Sequence, residues 1–269
     1  MNYFFAVLIS LSFPLSSSLN HAPKTETFSV DSVIHTGIHE TEEAALLHFE
    51  DSVVALHQAL HLSDYNLPLE VFRYAMIGYN TAFQQGRLNN KKLLTIIDFT
   101  QSSRRKRFYT LDLENLKMTY NTYVSHGKNT GEDEAKHFSN IIHSNQSSLG
   151  FYLTAETYIG SKGYSLKLDG LEKGFNDNMR ARAVVMHEAD YVSEYWIKKY
   201  GRLGRSQGCP ALPVELSKEI IDTIKDHTLI FAYYNNSTYL QNSFYLNIDQ
   251  LISNTCAMAR GEKTVKPIH

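Results

Sequence analysis

The feature that most constrains this chain is a stretch near its C-terminal third, residues 201–213, which reads GRLGRSQGCPALP. Its three glycines and two prolines are incompatible with the interior of a helix or strand, so the stretch must form a structured loop. The loop carries one cysteine, Cys209, and leads into a helical pattern that begins at Pro213. A thiol near a helix start is expected to have a lowered pKa and to attack carbonyl carbons as a thiolate. We therefore predict that Cys209 is a catalytic nucleophile.

The size and charge of the chain limit the classes of protein it can belong to. At 269 residues with 43% hydrophobic content, it can bury a sizeable core, which favours one main domain with an appendage. A net charge of -2 provides no attraction to nucleic acid. The basic cluster Arg104–Arg107 lies between polar residues and a strand-like segment, so we interpret it as a solvated surface.

The first residues have the pattern of an export signal. An apolar run from Phe4 to Leu15 has the length of a signal-peptide core and is too short to span a bilayer comfortably. Small residues suited to cleavage follow at Ser16–Ser18, and no cysteine directly follows the run to carry a lipid. A buried N-terminal helix is the alternative. We predict a signal peptide over residues 1–22 and an exported, soluble mature protein with no stable membrane anchor.

The hydrophobic pattern changes from helical to strand-like near residue 94. Apolar positions at helical spacing predict helices over residues 41–62 and 69–86, whereas later runs with period two predict strands. The predicted strands lie at residues 94–99, 107–113, 118–124, 164–169 and 183–186, and a further helix lies at residues 213–225. The sequence therefore predicts an α+β fold with a helical segment (23–93), a β-rich domain (94–235) and a C-terminal tail (236–269).

Two histidines stand at the ends of predicted strands and are candidates for the base that activates the thiol. His187 directly follows the apolar strand 183–186, and a histidine there can take the thiol proton and return it to a leaving amine. His126 also ends a strand and could line the same site. The histidines of the N-terminal region are interpreted as surface or structural residues: His35, His39, His48, His57 and His61.

Two alternatives to a cysteine–histidine site follow from the same residues. A disulfide between Cys209 and Cys256 would remove the nucleophile, since two cysteines in an exported protein can pair. The glycine-rich frame of Cys209 favours an accessible thiol instead. His187-Glu188 begins like a zinc-peptidase motif, but Tyr191 stands where the second histidine is needed. We predict no metal and no cofactor.

Taken together, these residues resemble a known family. The loop GRSQGCP at residues 204–210, His187 in VMH, and the YVS triplet at residues 191–193 resemble the L,D-transpeptidase catalytic domain (YkuD-like) family, in its murein L,D-transpeptidase catalytic domain branch. The resemblance runs from about Val71 to about Phe231. It includes TIIDF at residues 95–99 and GLEKGFND at residues 170–177.

The resemblance implies a β-rich sandwich domain that acts on peptidoglycan and is a carbapenem target. In such enzymes a cysteine, here Cys209, attacks the peptide bond after the third residue of a tetrapeptide stem. D-alanine leaves, a thioester forms, and an amine from another stem resolves it. By the same resemblance His187 is the base, the N–H groups of Gly208 and Cys209 form an oxyanion hole, and Ser206 orients the histidine or the loop.

The chain departs from the family pattern on either side of the cysteine. Gln207 stands where many members have histidine, so His187 would act alone as base. Many members also have Arg or Asn shortly after the cysteine, where this chain has Pro-Ala-Leu. Arg202 and Arg205 could supply the missing charge for stem carboxylates, or they could form a structural ion pair. Tyr191 and His126 complete the predicted substrate-binding set.

Other functions stay open at this level. The same cysteine could pass its acyl group to water, giving a carboxypeptidase or endopeptidase, because the choice between water and an amine depends on the pocket. A catalytically silent wall-binding protein is a third possibility. In each case the predicted partners are peptidoglycan stem peptides, in a bacterial periplasm or cell wall. The oligomeric state and the role of the tail are not predicted.

Overall fold

The computed structural model describes residues 30–262 of the chain, with side chains from Glu42 onward. The predicted signal peptide, residues 1–22, lies outside the described residues. The chain divides into two units, Met1–His39 and Glu40–His269. Of the first unit, only the first part of helix α1 is described. The helices are α1 (Val30–Ala59), α2 (Leu69–Gln84), α3 (Glu194–Tyr200), α4 (Val214–Ile224), α5 (Ser237–Asn242) and α6 (Ile248–Ala259), with short 3-10 helices at Leu62–Tyr65 and Phe244–Leu246.

The second unit is built on one mixed sheet. Its eight strands lie in the order β3-β2-β1-β8-β4-β5-β6-β7. Two neighbouring pairs, β1 with β8 and β6 with β7, are parallel, and the other pairs are antiparallel. The fold class is therefore α+β, as predicted. The strands are β1 (Leu93–Asp98), β2 (Phe108–Asp112), β3 (Lys117–Thr122), β4 (Gly150–Gly160), β5 (Gly163–Gly170), β6 (Val185–Glu188), β7 (Ala211–Leu212) and β8 (Leu229–Tyr233).

The two edges of the sheet come together beside the 201–213 loop. The chain that continues from β3 meets edge strand β7, because Ser125 N–H donates to the Ala211 carbonyl at 3.0 Å. Two residues further on, Gly127 forms an isolated parallel bridge with Ser206. The 201–213 loop is therefore held from two sides: the segment after β3 contacts it on one side, and β6 pairs with its β7 residues on the other.

Helix α2 covers the middle of the sheet. It packs against β1 and β8, with Phe72, Ala75 and Ile77 fully buried. Gly78 lets the helix approach β4, since a Cβ at that position would lie 2.0 Å from the Phe151 ring. The predicted helix over residues 69–86 is confirmed. Its core is continuous with that of the sheet, and the predicted boundary at residue 93 stays a prediction.

Helix α4 fixes the chain just after the cysteine. Pro213 precedes its first residue, Val214, where the ring of proline suits a helix start. Ile220, Ile221 and Ile224 are fully buried, and the helix packs against β5 and β6. The predicted helix over residues 213–225 is confirmed. Burial of this isoleucine stripe anchors one end of the loop that carries Cys209.

A buried carboxylate ties the C-terminal tail to the sheet. Glu172, 4% exposed, accepts a hydrogen bond from Phe151 N–H at 2.7 Å and one from Tyr239 Oη at 2.9 Å. Ser243 Oγ donates to its other oxygen. Burial raises the pKa of Glu172 to about 7. Glu172, the glutamate of the GLEKGFND motif, therefore has a structural role: it links β4 to the C-terminal tail.

Three strands, β4, β7 and β8, and three helices, α3, α5 and α6, were not predicted from the sequence. Strand β8 is buried along its whole length, and the first half of β4 is as well. A strand buried on both faces shows no alternation of polar and apolar residues, so period two cannot reveal it. Helix α3 is short, and its N-cap is Ser193 of the YVS triplet, whose Oγ accepts from Trp196 N–H.

Candidate active site

Cys209 lies where the loop meets the start of strand β6. Its side chain is half-buried and is not joined to Cys256 by a disulfide, so the disulfide alternative is wrong. Val185 N–H donates to the sulfur at 3.5 Å, and the thiol donates to the Ala183 carbonyl at 3.9 Å. The thiol is therefore held by two backbone groups of the segment that leads into β6.

The resting state of Cys209 is the protonated thiol. Burial raises the pKa of the Cys209 thiol above its usual range, and the Val185 N–H and the charges of Arg182 and Lys162 oppose burial without overcoming it. The expectation that the start of α4 lowers this pKa is wrong, because desolvation of the sulfur dominates. The site consequently needs a base that removes the thiol proton during the reaction.

His187 has the arrangement that such a base requires. It lies in β6, paired with Ser165 of β5 and Ala211 of β7, and is 3% exposed. Its Nδ1–H donates to the Glu188 carbonyl at 2.7 Å. Because a carbonyl only accepts, the proton of the neutral ring is on Nδ1, and Nε2 is the nitrogen without a proton. Burial lowers the pKa of His187. The imidazole is therefore neutral at neutral pH, with the Nε2 lone pair available.

Strand register places the histidine in β6, and the cysteine lies just before its neighbour, β7. His187 is paired with Ala211, two residues after Cys209, while Val185 contacts the sulfur itself. Two residues along a strand span roughly 7 Å, which is the separation along β6 between His187 and the residue whose N–H contacts the sulfur. No hydrogen bond joins the sulfur to the imidazole in the described part of the chain, as is common before substrate tightens a site.

Ser206 orients the loop and not the histidine. Its Oγ accepts from Gly208 N–H at 3.0 Å and donates to the Cys209 carbonyl at 2.7 Å. Its own N–H donates to the His126 carbonyl at 3.0 Å. These bonds close a tight turn around the cysteine. Of the two roles considered for Ser206, the geometry favours fixing the loop.

Gly208 is required by the backbone. Its φ is 121°, a conformation that side chains disfavour, and a Cβ there would lie 2.7 Å from the Gln146 carbonyl oxygen. Its N–H is already used by Ser206, so in this conformation Gly208 does not offer the oxyanion donor that the resemblance implied. The Cys209 N–H has no hydrogen-bond partner among the described residues and is the donor that remains.

His126 does not line the thiol. It is 1% exposed, and Arg107 Nη2 donates to its Nδ1 at 2.7 Å while its Nε2–H donates to the Gly131 carbonyl at 3.3 Å. Burial, and after it the charge of Arg107, lowers the pKa of His126 to about 3. Both ring nitrogens are occupied. The contacts of His126 are those of a structural residue beneath the loop.

The basic cluster divides into exposed and buried members. Arg104, Arg105 and Lys106 are exposed, as predicted. Arg107 is fully buried, contrary to the interpretation of the whole cluster as a solvated surface. Besides His126 it donates to the Gln101 carbonyl at 2.8 Å and to the Val124 carbonyl at 3.1 Å. Burial lowers the pKa of Arg107 to about 10.

The two arginines of the loop share one carboxylate. Arg202 Nε lies 2.9 Å from Glu132 Oε2, and Arg205 Nη1 lies 2.7 Å from Glu132 Oε1. Arg205 also donates to the Lys128 and Gly131 carbonyls, both at 3.0 Å. Of the two roles considered for Arg202 and Arg205, the structure shows the structural ion pair, with Glu132 as the shared carboxylate. A role of these arginines in binding substrate stays a prediction.

Tyr191 is the predicted substrate-binding residue that lies near the thiol. Burial, and after it the charge that Cys209 has once ionised, raises the pKa of Tyr191 to about 12. Its backbone carbonyl accepts from Gly204 N–H at 2.9 Å. The tyrosine therefore connects the beginning of the loop with the surroundings of the cysteine.

Sequence reasoning missed the segment just before His187. Arg182 exerts a positive charge on Cys209, and Ala183 accepts from the thiol. Ala183 has a positive φ of 52°, which costs a residue with a side chain about 1 kcal/mol or more. No local pattern reveals this backbone conformation. The one available signal is an arginine three residues before a buried strand.

A cavity of about 650 Å3 lies between the start of α2 and the turn after β1, with Asp98, Gln101 and Arg105 among its lining residues. In the region with described side chains, His, Cys, Asp and Glu do not form a group of three that could hold a metal ion. None of the helices within residues 30–262 is long and apolar enough to cross a membrane.

Comparison with known proteins places the chain in a family. Residues 63–233 match the model of the L,D-transpeptidase catalytic domain. No curated protein sequence gives a significant match.

Several solved structures show a distant likeness. An L,D-transpeptidase from Mycobacterium smegmatis is 12% identical, with a TM-score of 0.33 over 53% of this chain and 59% of that one. One from Stackebrandtia nassauensis is 16% identical, with a TM-score of 0.32 over 59% and 66%. A variant of the helical cell shape determining protein Pgp2 from Campylobacter jejuni is 11% identical, with a TM-score of 0.39 over 67% and 64%. The chain thus spans less than two thirds of each of these proteins. On the match over residues 63–233, this chain belongs to the L,D-transpeptidase catalytic domain family.

Proposed function

We propose that this protein is an exported cysteine acyltransferase of peptidoglycan, an L,D-transpeptidase in which Cys209 is the nucleophile and His187 the base. The observation that carries the proposal is a protonated thiol beside the strand of a neutral imidazole whose Nε2 is unoccupied. Membership of the family supports the substrate class.

In the acylation step, His187 Nε2 takes the thiol proton as the Cys209 sulfur attacks the carbonyl carbon of the third residue of a tetrapeptide stem. The carbonyl oxygen becomes an oxyanion, which the Cys209 N–H can stabilise. The C–N bond then breaks, and the imidazolium gives its proton to the departing amine of D-alanine. A thioester on Cys209 results.

In the second step, an amine of another stem attacks the thioester carbon. His187 Nε2 takes a proton from the attacking amine, the C–S bond breaks, and the proton returns to the sulfur. The product is a new peptide bond between two stems. If water replaces the amine, the product is a free tripeptide, so the same groups would make a hydrolase.

Incubation of the purified protein with tetrapeptide muropeptides tests the proposal. Wild type should release D-alanine and form dimers, and Cys209→Ala should do neither while keeping the same thermal unfolding midpoint. Cys256→Ala, which changes the other cysteine, should behave as wild type. Free tripeptides without dimers would favour hydrolysis, and release of D-alanine by Cys209→Ala would contradict the assignment of the nucleophile.

A carbapenem offers a second, direct readout of the nucleophile. The wild-type mass should increase by one carbapenem, and the modified peptide should contain residue 209. An adduct that persists in Cys209→Ala would rule out this cysteine as the acylated residue. A protein that binds muropeptides but forms no adduct and no products would instead be a silent wall-binding protein.

Export is part of the proposal and has a separate test. Residues 1–22 are proposed to be removed during export to the periplasm or cell wall. N-terminal sequencing of the protein recovered outside the cytoplasm should start close to residue 23. Recovery of the intact N-terminus in the cytoplasmic fraction would contradict the proposed location.

A further inference from the structure

Arg182 lies directly before the backbone groups that contact the nucleophile. The same short segment provides the Ala183 carbonyl and the Val185 N–H that hold the Cys209 thiol. The arginine is partly exposed, and the chemistry proposed above assigns it no role. Its contacts and its charge both involve the cysteine loop.

The guanidinium of Arg182 is bonded only to neutral acceptors. It donates to Ser139 O at 2.7 Å, Ser148 Oγ at 2.6 Å, Ser144 Oγ at 3.1 Å and also to Gln146 O. No carboxylate forms an ion pair with it in the part of the chain that has described side chains. Neutral acceptors orient a guanidinium without cancelling its charge, so the charge can act on a nearby anion.

The guanidinium of Arg182 also lies close to Gly208, the residue before the nucleophile. A Cβ at Gly208 would lie 3.3 Å from Arg182 Nη2 and 2.7 Å from the Gln146 carbonyl oxygen. Gln146 is itself an acceptor of Arg182. Arg182 and its acceptor Gln146 therefore line the side of Gly208 on which a side chain would lie, directly before Cys209.

Three ionisable groups interact electrostatically with Cys209, and His187 lies on the strand whose Val185 contacts the thiol. Arg182 and, in the exposed turn between β4 and β5, Lys162 exert positive charge on Cys209. Tyr191 lies near the sulfur with its phenol protonated, since burial raises the pKa of Tyr191 to about 12. His187, on β6, is neutral because burial lowers its pKa. Arg182 is the member of this set that combines a full charge with a fixed position.

We propose that Arg182 is a positioning residue for the nucleophile: it holds the loop at Gly208 and places an uncancelled positive charge beside the sulfur, so that the thiolate is stabilised once His187 removes the proton. The inference rests on the proposed function only in taking Cys209 as the nucleophile. It also offers a substitute for the Arg or Asn that this chain lacks after the cysteine, because Arg182 supplies a positive charge from the segment before β6.

Arg180 provides a matched control two residues away. Its guanidinium pairs with Glu156 at 2.9 Å and with Asp169, so carboxylates cancel its charge. It is exposed and has no contact with Cys209 or Gly208. Removal of its charge should therefore leave the thiol unchanged.

The test measures the pH dependence of Cys209 alkylation by iodoacetamide, a reaction that needs no peptidoglycan. In the full-length protein, the modified peptide is quantified by mass spectrometry, which separates Cys209 from Cys256. Arg182→Gln should raise the alkylation pKa by about one unit, which slows alkylation roughly tenfold at a fixed pH below that pKa. Arg180→Gln should match wild type. A folded Arg182→Gln protein with the wild-type pH profile would overturn the inference.

Arg182→Lys separates charge from position and guards against misfolding of the glutamine variant. Lysine keeps the charge but cannot reach all four acceptors. Its alkylation pKa should stay close to wild type, while the turnover of muropeptides should fall roughly tenfold. Wild-type turnover in Arg182→Lys would overturn the positioning role, even if Arg182→Gln does not fold. If wild type has no activity on muropeptides but Arg182→Gln shifts the alkylation profile, the inference stands and the proposed function fails.

Discussion

Two buried histidines, His187 and His126, differ in how many of their ring nitrogens the surrounding residues occupy. His187 lies within β6 and His126 lies four residues after β3. Burial lowers the pKa of each imidazole. His126 uses both nitrogens, toward Arg107 and Gly131, whereas His187 uses only Nδ1, toward the Glu188 carbonyl. A base needs a lone pair that faces the reacting proton. Burial and a shifted pKa are therefore shared by both, and only the unoccupied nitrogen distinguishes the candidate base.

The neighbours of each histidine explain the difference. Arg107 is fully buried, and its donors need acceptors, one of which is the Nδ1 of His126. His187 is in the interior of a three-strand array, between Ser165 and Ala211, and its backbone neighbours are already paired in the sheet. The imidazole consequently has one local partner and a second nitrogen without one among the described residues.

The largest expected effect comes from replacing each histidine by asparagine. His187→Asn keeps a donor for the Glu188 carbonyl but has no base, so the turnover of muropeptides should fall by roughly 10²–10⁴-fold with little change in thermal stability. His126→Asn should instead lower the free energy of unfolding by about 2 kcal/mol and leave the pH profile of turnover unchanged. Turnover and thermal unfolding of both variants check the comparison. Loss of turnover in a fully stable His126→Asn protein would break it.

Arg107→Met tests whether the arginine makes His126 structural. The variant leaves the Gln101 and Val124 carbonyls and the His126 nitrogen without their donor, so the free energy of unfolding should fall by about 3 kcal/mol. Removal of the charge should also raise the pKa of His126, which NMR titration of the imidazole would detect. Arg104→Met, at the exposed end of the same cluster, should change stability by less than about 1 kcal/mol. Equal effects of the two substitutions would contradict the burial of Arg107.

Glu172 extends the comparison to a buried carboxyl whose oxygens are all occupied. Its pKa is about 7 in the folded protein, while glutamate in an unfolded chain ionises near 4.3. Between about pH 5 and pH 7 the unfolded state has already lost this proton and the folded state has not, so the free energy of unfolding should fall as the pH rises, by on the order of 2 kcal/mol. Denaturant unfolding across this range should show the slope in wild type. Glu172→Gln should show a flatter dependence of the free energy of unfolding on pH. An equal slope in both proteins would mean that other groups cause the pH dependence.

Glu132→Gln should have the smallest effect and sharpens the role of the loop arginines. Glu132 is 72% exposed, so loss of its pairs with Arg202 and Arg205 should cost less than about 1 kcal/mol. If these arginines only support the loop, turnover should change less than about twofold. If Arg205 instead binds a stem carboxylate, Glu132→Gln should free the arginine and lower KM. Arg205→Gln should then raise KM with kcat unchanged. Steady-state kinetics of the two variants distinguish these outcomes.

The sequence alone was sufficient for features that depend on local chemistry. Glycine and proline spacing predicted the loop that carries Cys209, and hydrophobic periods predicted α2, α4 and five of the strands. Strand β8 and the first half of β4 were missed because burial on both faces removes the alternating pattern. The family was also recognisable from short motifs, because those residues are close together in the chain.

Only the tertiary structure decided which of these residues can act chemically. Arg107 reaches His126 across 19 positions and Arg182 reaches Ser148 across 34, and no local pattern records such contacts. They determine which histidine keeps a nitrogen without a partner, which arginine is buried and which charge faces the sulfur. The pKa of the Cys209 thiol is raised and not lowered for the same reason. The sequence of this protein thus determined where a nucleophile is carried, and the packing of distant segments around it determined its protonation and its partners, because desolvation and hydrogen bonding depend on neighbours in space.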